Sequence, residues 1–131
     1  RFFKKNNVSI ELIDLRTIRP LDRSTIIKSV SKTRRLVVID NSWQSFGVSA
    51  EILSTIFETK KLNLLSPPSR LGFADVPSPS TRSLIGNYYP DAYQIALKIK
   101  ESLNINLNIN NLKKKKNDVI DIPDNKFTGP F

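Results

Sequence analysis

Apolar and polar positions change period several times along this chain, and each change marks an element. Val8, Ile10 and Leu12 alternate with Ser9 and Glu11 before Ile13 breaks the pattern, which predicts a strand over 8–15. Phe2 and Phe3 ahead of Lys4-Lys5-Asn6-Asn7 read as the last turn of a helix. Residues 16–21 form a loop, since Pro20 pushes Arg19 out of the helical region. Asp22 is then placed as an N-cap for a helix running to about Lys32, with Ile26, Ile27 and Val30 as its buried stripe. The apolar run over 35–39, ending at Asp40, predicts a strand covered on both faces. A loop over 41–47 carries Trp43 and Phe46, and a second helix starts near Val48 with Val48, Ile52, Ile56 and Phe57 inward.

Pro67-Pro68 keep 62–68 irregular, 69–73 is a short strand, and Pro77 and Pro79 stiffen the loop over 74–80. A short helical piece is expected near 82–87. Pro90-Asp91 open a final helix with Ala92, Ile95, Ala96, Ile99 and Leu103 on one side. Strands alternating with helices define an α/β fold with a mainly parallel sheet. From Ile105 the composition turns to Asn and Lys. Residues 105–118 read as a solvated linker and 119–131 as a docking tail whose Phe127 and Phe131 seat on a surface.

Composition narrows the chemistry. The 131 residues include no Cys, His or Met. Thiolate zinc sites, Cys nucleophiles and Ser-His-Asp triads are thereby excluded. A start at Arg1 with no Met anywhere predicts a piece of a longer protein. The net charge is +9, with Lys and Arg scattered rather than striped between aromatics. That distribution argues against a nucleic-acid footprint. The apolar runs are too short to span a membrane as a helix. Only four Gly are present, none spaced as a phosphate cradle.

Residues 13–22 (IDLRTIRPLD), 32–38 (KTRRLVV), 43–52 (WQSFGVSAEI) and 74–79 (ADVPSP) follow one another in a specific order and spacing. Over about 1–104 the chain resembles the C-terminal, transketolase C-terminal-like domain of the β subunit of thiamine-diphosphate-dependent 2-oxoacid dehydrogenases. The pyruvate and branched-chain types are the nearest. The resemblance implies a three-layer α/β/α domain, incomplete at its N-terminus. Its first strand and helix are missing, and the lost strand belongs between those at 8–15 and 35–39. It implies a holoenzyme that decarboxylates a 2-oxo acid on thiamine diphosphate with Mg and passes the acyl group to a lipoyl partner. This domain would bind neither cofactor and would do no chemistry alone. The implied partners are the remainder of the β subunit, an α subunit and the lipoyl acyltransferase, in a hetero- or homo-oligomer, with no nucleic acid and no membrane. The implied location is cytoplasmic, or a mitochondrial or plastid matrix in a eukaryote. A ketol-transferring transketolase-type domain and a stand-alone basic binding module are the alternatives.

The candidate functional residues are contact residues. Arg16 and Arg19 either stay solvated beside the Asp22 cap or pair bidentately with carboxylates across a subunit contact. Asp40 ends a strand, as a loop cap or at a contact; the family commonly places Glu there. Trp43 and Phe46 are either core lids or interface anchors, and large aromatics on a loop suit the latter. Asp75 and Pro77 sit on a rigid loop that either merely connects a strand to a helix or, as the resemblance implies, lies near neighbouring subunits. Glu51 is expected as an exposed carboxylate in the first turn of its helix. Relatives carry acidic residues near the start of the last helix, where this chain has Asp91 followed by Ala92, Tyr93 and Gln94. The Lys run at 113–116 reads as solvated.

Overall fold

The structure is a computed structural model, and it describes residues 2–59, 62–81, 85 and 88–113. The elements in chain order are α1 (Phe2–Lys5), α2 (Arg23–Thr33), β1 (Val37–Trp43), α3 (Val48–Glu58), β2 (Ser69–Phe73) and α4 (Ala92–Leu103), followed by a 3-10 turn at Asn110–Leu112.

α2 begins where Asp22 accepts from the Thr25 backbone N–H at 3.0 Å and from the Thr25 and Ser24 hydroxyls at 2.7 Å each. It ends at Arg34, a left-handed residue whose N–H returns to the Val30 carbonyl. That turn aims the chain directly into β1. β1 and β2 pair in parallel, with Val37 opposite Ser69 and Ile39 opposite Leu71. α3 is the crossover between them, as parallel strands require. Ile26 and Val30 of α2, Val38 of β1, and Ile52 and Ile56 of α3 form the buried cluster, with Leu15, Leu21 and Leu36 packed against it. α4 packs on β1 and β2 but adds nothing to that cluster. It forms the third layer of the α/β/α arrangement. Arg35 donates to the Ser102 carbonyl at 2.9 Å, tying the start of β1 to the last turn of α4.

Several expectations change on folding. Residues 8–15 form no strand; the segment is held by Leu15 against the cluster and by Glu11 on Lys32 at 3.0 Å. Its alternation is real, but a strand needs a ladder partner and it has none among the described residues. β1 runs on through Trp43, into the expected loop, and Ile39 is exposed, so the cover over the strand is incomplete rather than full on both faces. Phe57 and Ala92 also face outward instead of inward. The expected solvated character from Ile105 fails at Ile109, which is only 4% exposed. The short helical piece near 82–87 falls mostly outside the described residues, and the 119–131 tail with Phe127 and Phe131 falls wholly outside them.

A candidate interaction surface at the carboxyl end of the sheet

The strands end on an irregularity. Between Ile39–Leu71 and Trp43–Phe73 the register advances four residues on β1 and two on β2. Three residues of β1, Asp40 to Ser42, thus lie opposite Gly72 alone and bulge from the ladder, which re-aims the side chains beyond them. Gly72 makes room for this bulge, since a Cβ there would lie 2.8 Å from the Ser42 carbonyl oxygen. Asp40 then turns inward and accepts from the Ser49 N–H at 3.0 Å, serving as cap for α3 where Gly47 offers no side chain. Its carboxylate meets the positive end of the helix dipole.

Beyond the bulge, the loop 44–47 is tied down from β2 and the loop after it. The Gln44 N–H donates to the Phe73 carbonyl at 3.1 Å, and Arg70 donates to the Gln44 carbonyl at 2.7 Å. The Ser45 N–H reaches the Asp75 carboxylate at 3.2 Å, and the Ser45 hydroxyl makes a short bond to the same group. The Ser45 hydroxyl, then its N–H, hold the Asp75 carboxyl below the ordinary range, with Arg70 adding to the effect. Phe46 sits at the tip of this braced loop, fully exposed, at φ 59°. A left-handed conformation costs a side-chain-bearing residue roughly 1–2 kcal/mol.

An aromatic cluster adjoins the loop. Tyr88 is buried, and its hydroxyl receives the Trp43 indole N–H at 3.3 Å and lies 3.2 Å from the Ser78 hydroxyl. Phe73, Tyr88 and Tyr89 meet pairwise with ring centroids 5.0 Å apart. Trp43 remains 55% exposed above them, its position fixed by the indole bond.

The start of α2 lies at the same end of the molecule. α2 runs opposite to β1, and Arg23 at its start pairs with Glu51 in the first turn of α3 at 2.6 Å. Arg16 and Arg19 precede that start and are both exposed, Arg16 beside Asp14 at 2.9 Å. The fold brings Asp40, Trp43, Phe46 and Asp75 to the carboxyl end of the sheet, with Pro77 exposed two residues beyond Asp75, whereas Arg16 and Arg19 lie exposed in the segment before α2. It does not join the arginines to the aromatics through any bond given for the described residues. Sequence reading missed Ser45, Arg70, Phe73, Tyr88 and Tyr89. Their tyrosine pair was the available signal: Tyr88-Tyr89 just before the Pro90-Asp91 helix start.

One backbone donor at this surface, the α3 amide that would meet a phosphate, is already taken by an acidic side chain. Among the described residues no group of three or more His, Cys, Asp or Glu could hold a metal ion. No helix among them is long and apolar enough to cross a membrane.

A parallel βαβ unit flanked by helices on both faces, with a braced aromatic end, defines a small α/β domain. The chain belongs to the family described as "Transketolase, C-terminal domain", which matches residues 3–95. It is similar to "Pyruvate dehydrogenase E1 component subunit beta, mitochondrial" of Saccharomyces cerevisiae, 43% identical over 103 residues, covering 78% of this chain and 28% of that protein. The Homo sapiens protein of the same description is 44% identical over 102 residues, covering 77% and 28%. The "beta-2" subunit of Oryza sativa subsp. japonica is 46% identical over 80 residues, covering 61% and 21%. The chain therefore spans little more than a quarter of the length of the first two relatives.

Proposed function

We propose that this chain is the assembly domain of the β subunit of a pyruvate-type 2-oxoacid dehydrogenase, supplying contact surface and no catalytic group. The similarity to E1 beta subunits over most of the chain supports the enzyme class. In that reading the holoenzyme carries thiamine diphosphate and Mg on other domains. The rest of the β subunit and an α subunit are direct partners, and the lipoyl acyltransferase docks on the assembly. The mitochondrial descriptions of the relatives favour a matrix location.

The observation that carries the contact role is Phe46. An apolar ring held fully in water, in a strained conformation, by a loop tied at Gln44 and Ser45, has no gain among the described residues to offset its strain. A pocket on a neighbouring subunit supplies that gain. Buried aromatic anchors at interface centres are worth about 2 kcal/mol or more each.

Phe46→Ala in the full-length subunit tests this, with association to partner subunits followed by sedimentation. About thirtyfold weaker assembly is expected, with turnover per assembled complex unchanged. Unaltered assembly overturns the contact role, and lost turnover at full assembly overturns its separation from chemistry.

A further inference from the structure

Residues 104–113 follow the last matched position of the family, residue 95, by less than one helix length. Their composition is that of a solvated linker, yet their placement is not. Leu103, Ile105, Leu107 and Ile109 are each wholly or partly buried, whereas Asn104, Asn106, Asn108 and Asn110 are exposed. That is a strict period of two, the pattern of an extended segment with one side on a protein surface. Asn104 starts it in the left-handed conformation at φ 51°, reversing the chain off α4. The Ile105 N–H still reaches the Lys100 carbonyl at 3.4 Å. Nine residues on, the Lys113 ammonium lies 5.1 Å from the ring centre of Tyr93, in the first turn of the same helix. The 3-10 turn at Asn110–Leu112 contacts α4. The segment therefore runs back along the whole length of α4, from its C-terminus to its N-terminus.

We infer that 104–113 is a strap: a cover that the chain lays over the flank of its own last helix, closing that flank to other chains. The hold is apolar, because no charged residue lies between Glu101 and Lys113. Ile109 is its deepest point and the Lys113–Tyr93 contact its far end. An occupant tethered by a single reversed residue acts at an effective millimolar concentration, so a peptide or helix in solution competes poorly for the same flank. The strap stands independently of the proposed enzyme class, because it uses only contacts within the chain.

The test sets neighbours on opposite sides of the strap against each other in the full-length protein. Ile109→Asp puts a charge on the buried side, and Asn108→Asp puts the same charge on the exposed side. Thermal unfolding and hydrogen exchange of the α4 amides are measured for both. Ile109→Asp is expected to lower Tm by about 5 °C or more and to speed α4 exchange at least about tenfold, with Asn108→Asp near the unmodified protein. Where Ile109→Asp does not fold, Ile109→Ala carries the same comparison. Equal behaviour of the 108 and 109 variants, or α4 exchange unmoved by both, overturns the strap.

Discussion

Asp22 accepts three hydrogen bonds at the start of α2, and together they hold its carboxyl at about 2. The Thr25 hydroxyl is the main cause, followed by Ser24 and the Thr25 N–H. A folded value below the unfolded one means that the bonds stabilise the fold above about pH 4 and lose that effect as pH falls toward 2. Asp22→Asn keeps a competent cap but cannot titrate. Its stability is expected to change less than the unmodified chain's between pH 4 and 2, as urea unfolding at stepped pH would record. Phe46 gives the opposite kind of residue prediction. Phe46→Gly relieves the left-handed strain and is expected to stabilise the subunit by about 1 kcal/mol while weakening assembly. A variant that loses both stability and assembly would remove the strain argument. The Asp22 cap was legible in the sequence because capping is local, a carboxylate three residues before its donor. The Phe46 conformation was not, because it depends on Asp75 and Arg70, separated from their loop partners by 30 and 26 residues.

The helices fared better than the strands for the same reason. α2, α3 and α4 carry their own hydrogen bonds and declare their ends through Asp22, Gly47 and Asp91. Asp91 completes a reciprocal capping box with Gln94. Strand identity depends on a partner. Alternation runs over 8–12 and over 103–109, yet among the described residues neither segment joins a ladder, whereas polar Asp40-Asn41-Ser42 lies inside β1. The bulge at those three residues arises from Gly72 on the other strand and left no mark in the β1 sequence itself. It also makes the β1–α3 junction intolerant of volume. A Cβ on Gly47 would sit 2.5 Å from the Trp43 carbonyl oxygen and 2.9 Å from the Asp40 carboxylate. The carbonyl belongs to the backbone and cannot swing away. Gly47→Ala is therefore expected to displace the start of α3 and break the Asp40–Ser49 bond, destabilising the domain by about 1–3 kcal/mol. Chemical denaturation of the full-length variant reads this directly, and a loss under a few tenths of a kcal/mol would mean the loop has room to move.

At the scale of the whole molecule, the described residues place two strands in the sheet, and isolated sheets need about three for independent stability unless helices cover them. Helices do cover this sheet, but incompletely. Ile39 on β1 is exposed, and Ile10 and Leu12 face water from an extended segment with no ladder, Leu12 at 86%. Trp43, Phe46 and Val76 add an apolar end. Unpaired extended backbone beside exposed Ile and Leu is the condition for edge-to-edge association. The 131 residues expressed alone are accordingly expected to unfold over a broad temperature range, to bind a dye that reports apolar surface, and to form aggregates whose amount grows with concentration. The same residues inside the full-length subunit are expected to unfold cooperatively with no dye signal. Size-exclusion chromatography and scanning calorimetry on the two samples make the comparison. A sharp two-state transition from a soluble monomer of the isolated chain would show that α2, α3 and α4 suffice to close this sheet. The exposed apolar positions would then have to be explained by partner contacts alone.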